Sequence, residues 1–181
     1  MQQLKIAVNT RLLIKDRMDG IGWFTYECLK RITKNHPEHQ FYFIFDRPYH
    51  DDFIFTDNIT PVVAGPVTRH PWLIKYWFDY TIPKVLSDIK PHLFLSPDGF
   101  LSHRYSEPSY VVIHDLNFEH FPKFLAPAYR KLYRNNFRTF AALAKGIGTV
   151  SEYSKQDISK TYHIPLQKID VLYCGLNDHF S

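Results

Sequence analysis

Runs of apolar positions with two different periods alternate along this chain, and their order predicts its architecture. Leu4 to Val8 (LKIAV) is a short apolar run stopping at Asn9-Thr10, the form of a strand. A loop with Asp19-Gly20-Ile21-Gly22 follows, and then Trp23, Tyr26, Leu29 and Ile32 recur at helical spacing up to His36-Pro37. Phe41 to Phe45 (FYFIF) is apolar at every position, the mark of a strand covered on both faces. Ile59 to Ala64 reads as a weaker strand closed by Gly65-Pro66. Pro71 to Ile89 reads as helix, which Pro83 should kink or split because proline lacks the N–H that the helix needs. Further strands are expected at His92 to Leu95, Tyr110 to Ile113, Ile147 to Val150 and Ile169 to Tyr173. The longest helix should run from Ala126 to Lys145 with Gly146 as its terminator, and another from Ser151-Glu152 to about Tyr162.

Strands alternating with helices, several of them apolar throughout, predict a Rossmann-like, doubly wound α/β fold. Its mostly parallel sheet should hold about seven strands with helices on both faces. Right-handed crossovers place the carboxyl ends of all strands on one edge, where such sheets bind ligands. The loops at Thr10 to Gly22, Ser96 to Phe100, His114 to Phe121 and Ser151 to Lys155 should therefore meet there. No repeat or flexible linker interrupts residues 1–181, so one domain is expected.

Composition narrows the function classes. Hydrophobic residues at 45% and charged residues at 22% exclude a disordered chain. The net charge of +4 suits an anionic partner such as a nucleotide diphosphate or a phospholipid. Without a Lys/Arg run or a zinc-finger pattern, a dedicated nucleic-acid binder is not expected. Cys28 and Cys174 stand far apart with no CxxC pair, which argues against a disulfide scaffold. No signal-peptide pattern precedes Leu4 and no apolar stretch is long enough for a membrane span, so a cytoplasmic protein is expected.

Four segments carry candidate chemistry. Gly20 and Gly22 at a helix start either form a simple turn or let backbone N–H groups approach a phosphate; the third glycine of a dinucleotide fingerprint is replaced by Thr25. His114-Asp115 at the end of an apolar strand would meet a ligand, with His114 bonding a hydroxyl or acting as acid or base. A structural histidine is the plain alternative, and HDxxxxH with His120 a metal-site alternative. Ser151 and Lys155 flank another strand-to-helix turn, as helix-entry residues or as ligand contacts. On the long helix, Tyr129, Leu132, Tyr133, Phe137, Phe140 and Ala144 form an apolar stripe opposite Lys131, Arg134, Arg138 and Lys145. That basic face is a solvated surface or an attraction for an anionic membrane, and Trp72 to Tyr80 is either core or an interfacial patch.

These motifs in this order resemble the amino-terminal domain of the family-4 glycosyltransferases, retaining enzymes of two-domain GT-B architecture. The resemblance rests on the Asp-Gly-Ile-Gly loop, on His114-Asp115-Leu116 and on Gly148-Thr149-Val150-Ser151-Glu152-Tyr153-Ser154-Lys155. It continues through Ile164-Pro165 and Lys168-Ile169 to Tyr173-Cys174-Gly175-Leu176-Asn177. Trp23 and Cys174 depart from the family's usual Arg and Asn.

The resemblance implies a carboxyl-terminal domain, absent from this chain, that holds most of the nucleotide-sugar donor, while this half binds a glycan or lipid-linked acceptor. Gly20 and Gly22 would approach the donor diphosphate, and His114, the candidate catalytic residue, would touch the transferred sugar. Asp115, Ser151 and Lys155 would line the cleft. Transfer would proceed on one face through an oxocarbenium-like state, with the departing phosphate taking the acceptor's proton. No metal or cofactor is implied beyond the nucleotide sugar, and the isolated half should be inactive. Two other readings are a stand-alone nucleotide- or glycan-binding module and a metal-dependent hydrolase using His114, Asp115 and His120.

Overall fold

In the computed structural model, which describes residues 2–175, seven strands form one sheet. They are β1 (Lys5–Asn9), β2 (Gln40–Phe45), β3 (Ile59–Val63), β4 (Leu93–Ser96), β5 (Ser109–Val112), β6 (Gly146–Thr149) and β7 (Ile169–Val171). Their order is β3-β2-β1-β4-β5-β6-β7, and every neighbouring pair is parallel. The chain therefore winds outward from β1 to β3, returns to place β4 beside β1, and winds outward the other way. The crevice between β1 and β4 is the switch point at which such sheets open to ligands. The doubly wound α/β fold read from the sequence is the one found.

The connecting helices are α1 (Gly20–Asn35), α2 (Pro71–Tyr76), α3 (Ile82–Ile89), α4 (Asn117–His120), α5 (Pro127–Leu143) and α6 (Glu152–Tyr162). Adjacent residues of the inner strands serve opposite faces, as the two-residue strand period requires. Val8, Phe41, Phe43 and Phe45 pack with Leu29 of α1, whereas Ala7 and Ile44 pack with Trp77, Phe78, Ile82 and Leu86. Continuous apolar runs are thus what a sheet with two covered faces demands. β3 pairs only with β2, and there Pro61, which has no N–H to give, is tolerated on an edge.

Pro83 acts through the turn before it. Residues Trp77–Thr81 form a π turn, in which the N–H of Ile82 reaches the carbonyl of Trp77. Widening the helix there absorbs the crowding that the proline ring would impose on the preceding turn. The aromatic segment divides between core and surface. Trp77 and Phe78 are core, while Trp72, Tyr76 and Tyr80 are exposed.

The apolar stripe of α5 holds as well: Leu132, Phe137 and Phe140 are buried, and Lys131, Arg134 and Arg138 are exposed. Gly146 does not terminate this helix. Ala144 leaves it in an extended conformation (φ −56°, ψ 142°), and Gly146 opens β6, where an added Cβ would lie 2.8 Å from the Tyr110 ring. Among the described residues, no helix is long and apolar enough to cross a membrane. The segment from Leu176 onward, on which part of the family motif falls, lies outside the described residues.

Candidate functional site

A cavity of about 270 Å³ opens at the carboxyl edge of the sheet, above the β1–β4 crevice. Three loops build it, and each leaves a strand that ends there. The β1 loop supplies Arg11, Leu12 and Asp19, the β4 loop Asp98, and the β5 loop His114, Asp115 and Phe118. Ile21 at the start of α1 closes one side, while Tyr129, Tyr133 and Phe137 of α5 form an aromatic wall.

The floor is held by one buried carboxylate. Asp98 Oδ2 accepts a 2.6 Å hydrogen bond from Arg11 Nε, and the two side chains are only 4% and 8% exposed. Asp98 Oδ1 accepts from Asn9 Nδ2 (2.8 Å), Ser96 Oγ (3.1 Å) and the N–H of Phe100 (3.3 Å). The Arg11 guanidinium lies 5.3 Å from the Phe100 ring centre and 5.9 Å from that of Phe78, within cation–π range. A charge this deep persists only because it is paired and because its partner is fully hydrogen-bonded. Among the described residues, Asp98 is the one acceptor that meets this guanidinium, and Arg11 itself lines the cavity. Burial pushes the Tyr133 phenol up, which keeps it protonated beside this pair.

A second carboxylate sets the far wall. Asp46, just past β2, binds the Arg47 guanidinium through both oxygens (2.6 and 2.8 Å) and accepts from both N–H and Oγ1 of Thr68 at 2.6 Å. Thr68 lines the cavity. Burial would raise the Asp46 carboxyl, but the hydrogen bonds from Arg47 and Thr68 outweigh it and hold the group below its ordinary range.

His114 projects from the β5 loop with Nε2 2.9 Å from the carbonyl of Pro97. A carbonyl only accepts, so Nε2 carries a proton and donates it there. The Phe24 ring of α1 meets the imidazole edge-on at 4.9 Å, which brings the first helix and the β5 loop into contact. Asp115 lines the same cavity and turns one oxygen to the N–H of Asn117 (2.9 Å), starting α4.

The expected residues divide here. His114 and Asp115 line the cavity, and Ile21, between the two glycines, reaches it. Gly22 lies just beneath: its N–H caps onto Asp19 Oδ1 at 2.8 Å, and a Cβ there would sit 3.0 Å from the carbonyl of Leu12 and 3.1 Å from Met18 Cβ. Glycine at 22 thus fits the loop folding back on the helix, where a larger residue would have to push the Leu12 carbonyl or Met18 aside. Gly20 is exposed, with nothing within 4 Å of an added Cβ. Ser151 caps α6, accepting from the N–H of Ser154 at 3.1 Å, and neither Ser151 nor Lys155 lines this cavity. His120 turns away from His114 and pairs with Asp157 at 2.8 Å, so the HDxxxxH grouping is not brought together. Arg11, Asp98 and Thr68 were not singled out by sequence, and Tyr133 was read only as part of the apolar stripe of α5. The available signal was position alone, since Arg11 and Asp98 fall within loops expected at this edge.

No curated protein matches the sequence. Among solved structures, a UDP-N-acetylglucosamine 2-epimerase superposes with a TM-score of 0.62 at 13% identity, over 94% of this chain and 48% of its own. The lipopolysaccharide outer core galactosyltransferase WaaB gives 0.59 at 12% identity, over 96% and 46%. HepE from Anabaena, solved with UDP and glucose, gives 0.57 at 13% identity, over 97% and 45%. This chain thus spans slightly less than half the length of each, and what they share with it is the fold. The model of Glycosyltransferase Family 4 matches residues 18–180, a stretch that includes the α1 start, the β5 loop with His114 and the α6 cap. On that match the chain belongs to glycosyltransferase family 4, as a glycosyltransferase-like amino-terminal domain.

Proposed function

We propose that this domain holds the acceptor in a retaining transfer from a nucleotide sugar, and that the donor is held mainly by a second, carboxyl-terminal domain. The observation that carries the reading is the cavity at the β1–β4 switch point, where His114 lies beside an aromatic wall and a buried Arg11–Asp98 pair. Aromatic faces suit the apolar side of a sugar ring, and convergent polar groups fix its hydroxyls. His114 bonds a hydroxyl of the transferred sugar, and Asp115 one of the acceptor. Gly20 stands at the exposed start of α1, a position suited to the donor diphosphate, with Gly22 shaping the turn beneath it. Ser151 and Lys155 act farther out along the cleft. The departing phosphate takes the acceptor's proton, so the domain contributes positioning and needs no nucleophile. Alone, it is inactive.

Calorimetry on the purified chain tests this division of labour. Nucleoside diphosphates should bind weakly or not at all, and neutral acceptor glycans should bind weakly in a manner sensitive to Asp115→Ala. Tight nucleotide binding by this chain alone would instead favour a stand-alone nucleotide-binding module.

The exposed Trp72 (68%) and Phe124 (87%), near the basic face of α5, support a further role as a peripheral contact with an anionic membrane on the cytoplasmic side. Vesicle flotation should show a preference for anionic lipid. Equal recovery with neutral vesicles would remove that role.

A further inference from the structure

At the amino edge of the sheet, opposite the cavity, the turn joining α1 to β2 gathers two imidazoles and a carboxylate. The donor atoms of His36, Glu38 and His39 all lie within 4.8 Å of one another. His36 Nδ1 is 3.3 Å and His39 Nε2 3.7 Å from the same Glu38 oxygen, and the two rings stack nearly parallel, 10° apart. The backbone beneath is fixed. Asn58 Nδ2 lies 3.0–3.1 Å from the carbonyls of Thr33, His36 and His39, and the N–H of His39 bonds the carbonyl of His36. Asn58 is itself held by the hydroxyl of Thr56 at 2.6 Å. Three donors thus converge from a turn clamped at its carbonyls.

The spacings suit a metal better than a hydrogen-bond network. An ion with bonds of roughly 2.0–2.1 Å to nitrogen and oxygen separates tetrahedral ligands by roughly 3.3 Å. Both edges to Glu38 already fall near that value, so only the imidazole–imidazole edge must close. The exposed His36 side chain can make that adjustment, being 53% accessible. As a hydrogen-bond acceptor, by contrast, Glu38 reaches His36 but not His39, whose nitrogen is too distant. Two imidazoles and one carboxylate, open to water on one side, form a borderline donor set that suits zinc, nickel or copper and not magnesium or calcium.

We propose that His36, Glu38 and His39 bind a first-row divalent transition-metal ion that fastens the end of α1 to the start of β2. One feature bounds the strength of the site. The buried Nδ1 of His39 has no hydrogen-bond partner, and such outer partners of a ligating histidine are worth roughly 10–100-fold in affinity. Binding is therefore expected in the micromolar range, not the nanomolar.

Titration calorimetry with Zn²⁺ on the untagged chain at neutral pH tests the site. A single saturable site should appear, weakened at least about tenfold by His36→Ala and by His39→Gln, because each removes one of only three protein ligands. His120→Gln should leave it unchanged, since that ring is engaged with Asp157. Zn²⁺ should raise the thermal midpoint of the wild type and not that of the His36→Ala chain, and lowering the pH below the imidazole range should abolish binding as protons compete. Absence of saturable Zn²⁺ binding, or binding that neither histidine substitution weakens, would overturn the proposal. Circular dichroism of each variant separates loss of ligand from loss of fold.

Discussion

Two arginine–carboxylate contacts in this domain have nearly the same length and different physical meaning. Arg11 meets Asp98 at 2.6 Å on the cavity floor, and Arg134 meets Glu119 at 2.8 Å on the outer face of α5. The first pair is 8% and 4% exposed, the second 50% and 16%. In the wet groove water screens both charges and competes for their hydrogen bonds, so the contact adds little to stability. On the floor neither charge has a comparable alternative, and three further donors saturate the carboxylate. Distance therefore does not rank the two. Burial and the completeness of the hydrogen-bond shell do. The floor is a fixed template and the α5 face an exchangeable surface.

The largest test of that contrast removes the buried anion. Asp98→Ala should destabilise the domain by about 3–5 kcal/mol, because it strands the Arg11 charge in a desolvated site. It also leaves the Phe100 N–H without its acceptor and takes the shorter of two acceptors from Asn9 Nδ2. Asp98→Asn, which keeps an acceptor oxygen, should cost clearly less. Denaturant unfolding measures both, and equal losses would mean that the lost charge is the whole effect and that the acceptor oxygen kept by asparagine adds nothing.

Acid sharpens the comparison at the second rim carboxylate. Arg47 and Thr68 hold Asp46 below its ordinary range against the effect of burial. A lowered folded-state value means stability that is present above the unfolded carboxylate value, about 3.9, and is lost as pH falls through the folded one. The window thus lies below about pH 4. Asp46→Asn should cost about 1–3 kcal/mol at neutral pH and remove that part of the acid limb, seen as a shallower fall of the unfolding midpoint between neutral and acid solution. Parallel acid limbs in the two proteins would show that other carboxylates dominate.

What was legible in the sequence follows the range of the forces involved. The FYFIF run, the α5 stripe and Pro83 act through neighbours a few residues away, so their pattern survives in one dimension. Strand boundaries came within one or two residues, and the convergence of His114 with the head of α1 followed from parallel winding alone. α4, at four residues, is too short to display a period. Gly146 was misread because a glycine after a helix usually serves as its cap, whereas here Tyr110, across the sheet, sets the requirement. The Arg11–Asp98 pair spans 87 positions and depends on β4 lying beside β1, a juxtaposition that the order of elements permits but does not single out. Ser151 shows the reverse case: its capping role was readable locally, from a serine standing at the head of a helix.

The smallest effect belongs to the outer groove, a hollow of about 640 Å³ along α5 lined by Arg130, Lys131, Arg134 and Arg138 together with Glu119. Arg134→Ala should change stability by less than about 1 kcal/mol, because Glu119 keeps the hydrogen bond from the Tyr162 hydroxyl and half of the arginine already faces water. Added salt should shrink even that difference, since exposed pairs are screened at the Debye length. Salt titrations of the wild type and the Arg134→Ala chain measure both quantities. A loss approaching that of Asp98→Ala, or one indifferent to salt, would mean that the groove is as rigid a template as the cavity floor, and that four basic side chains are held there for a partner requiring fixed geometry.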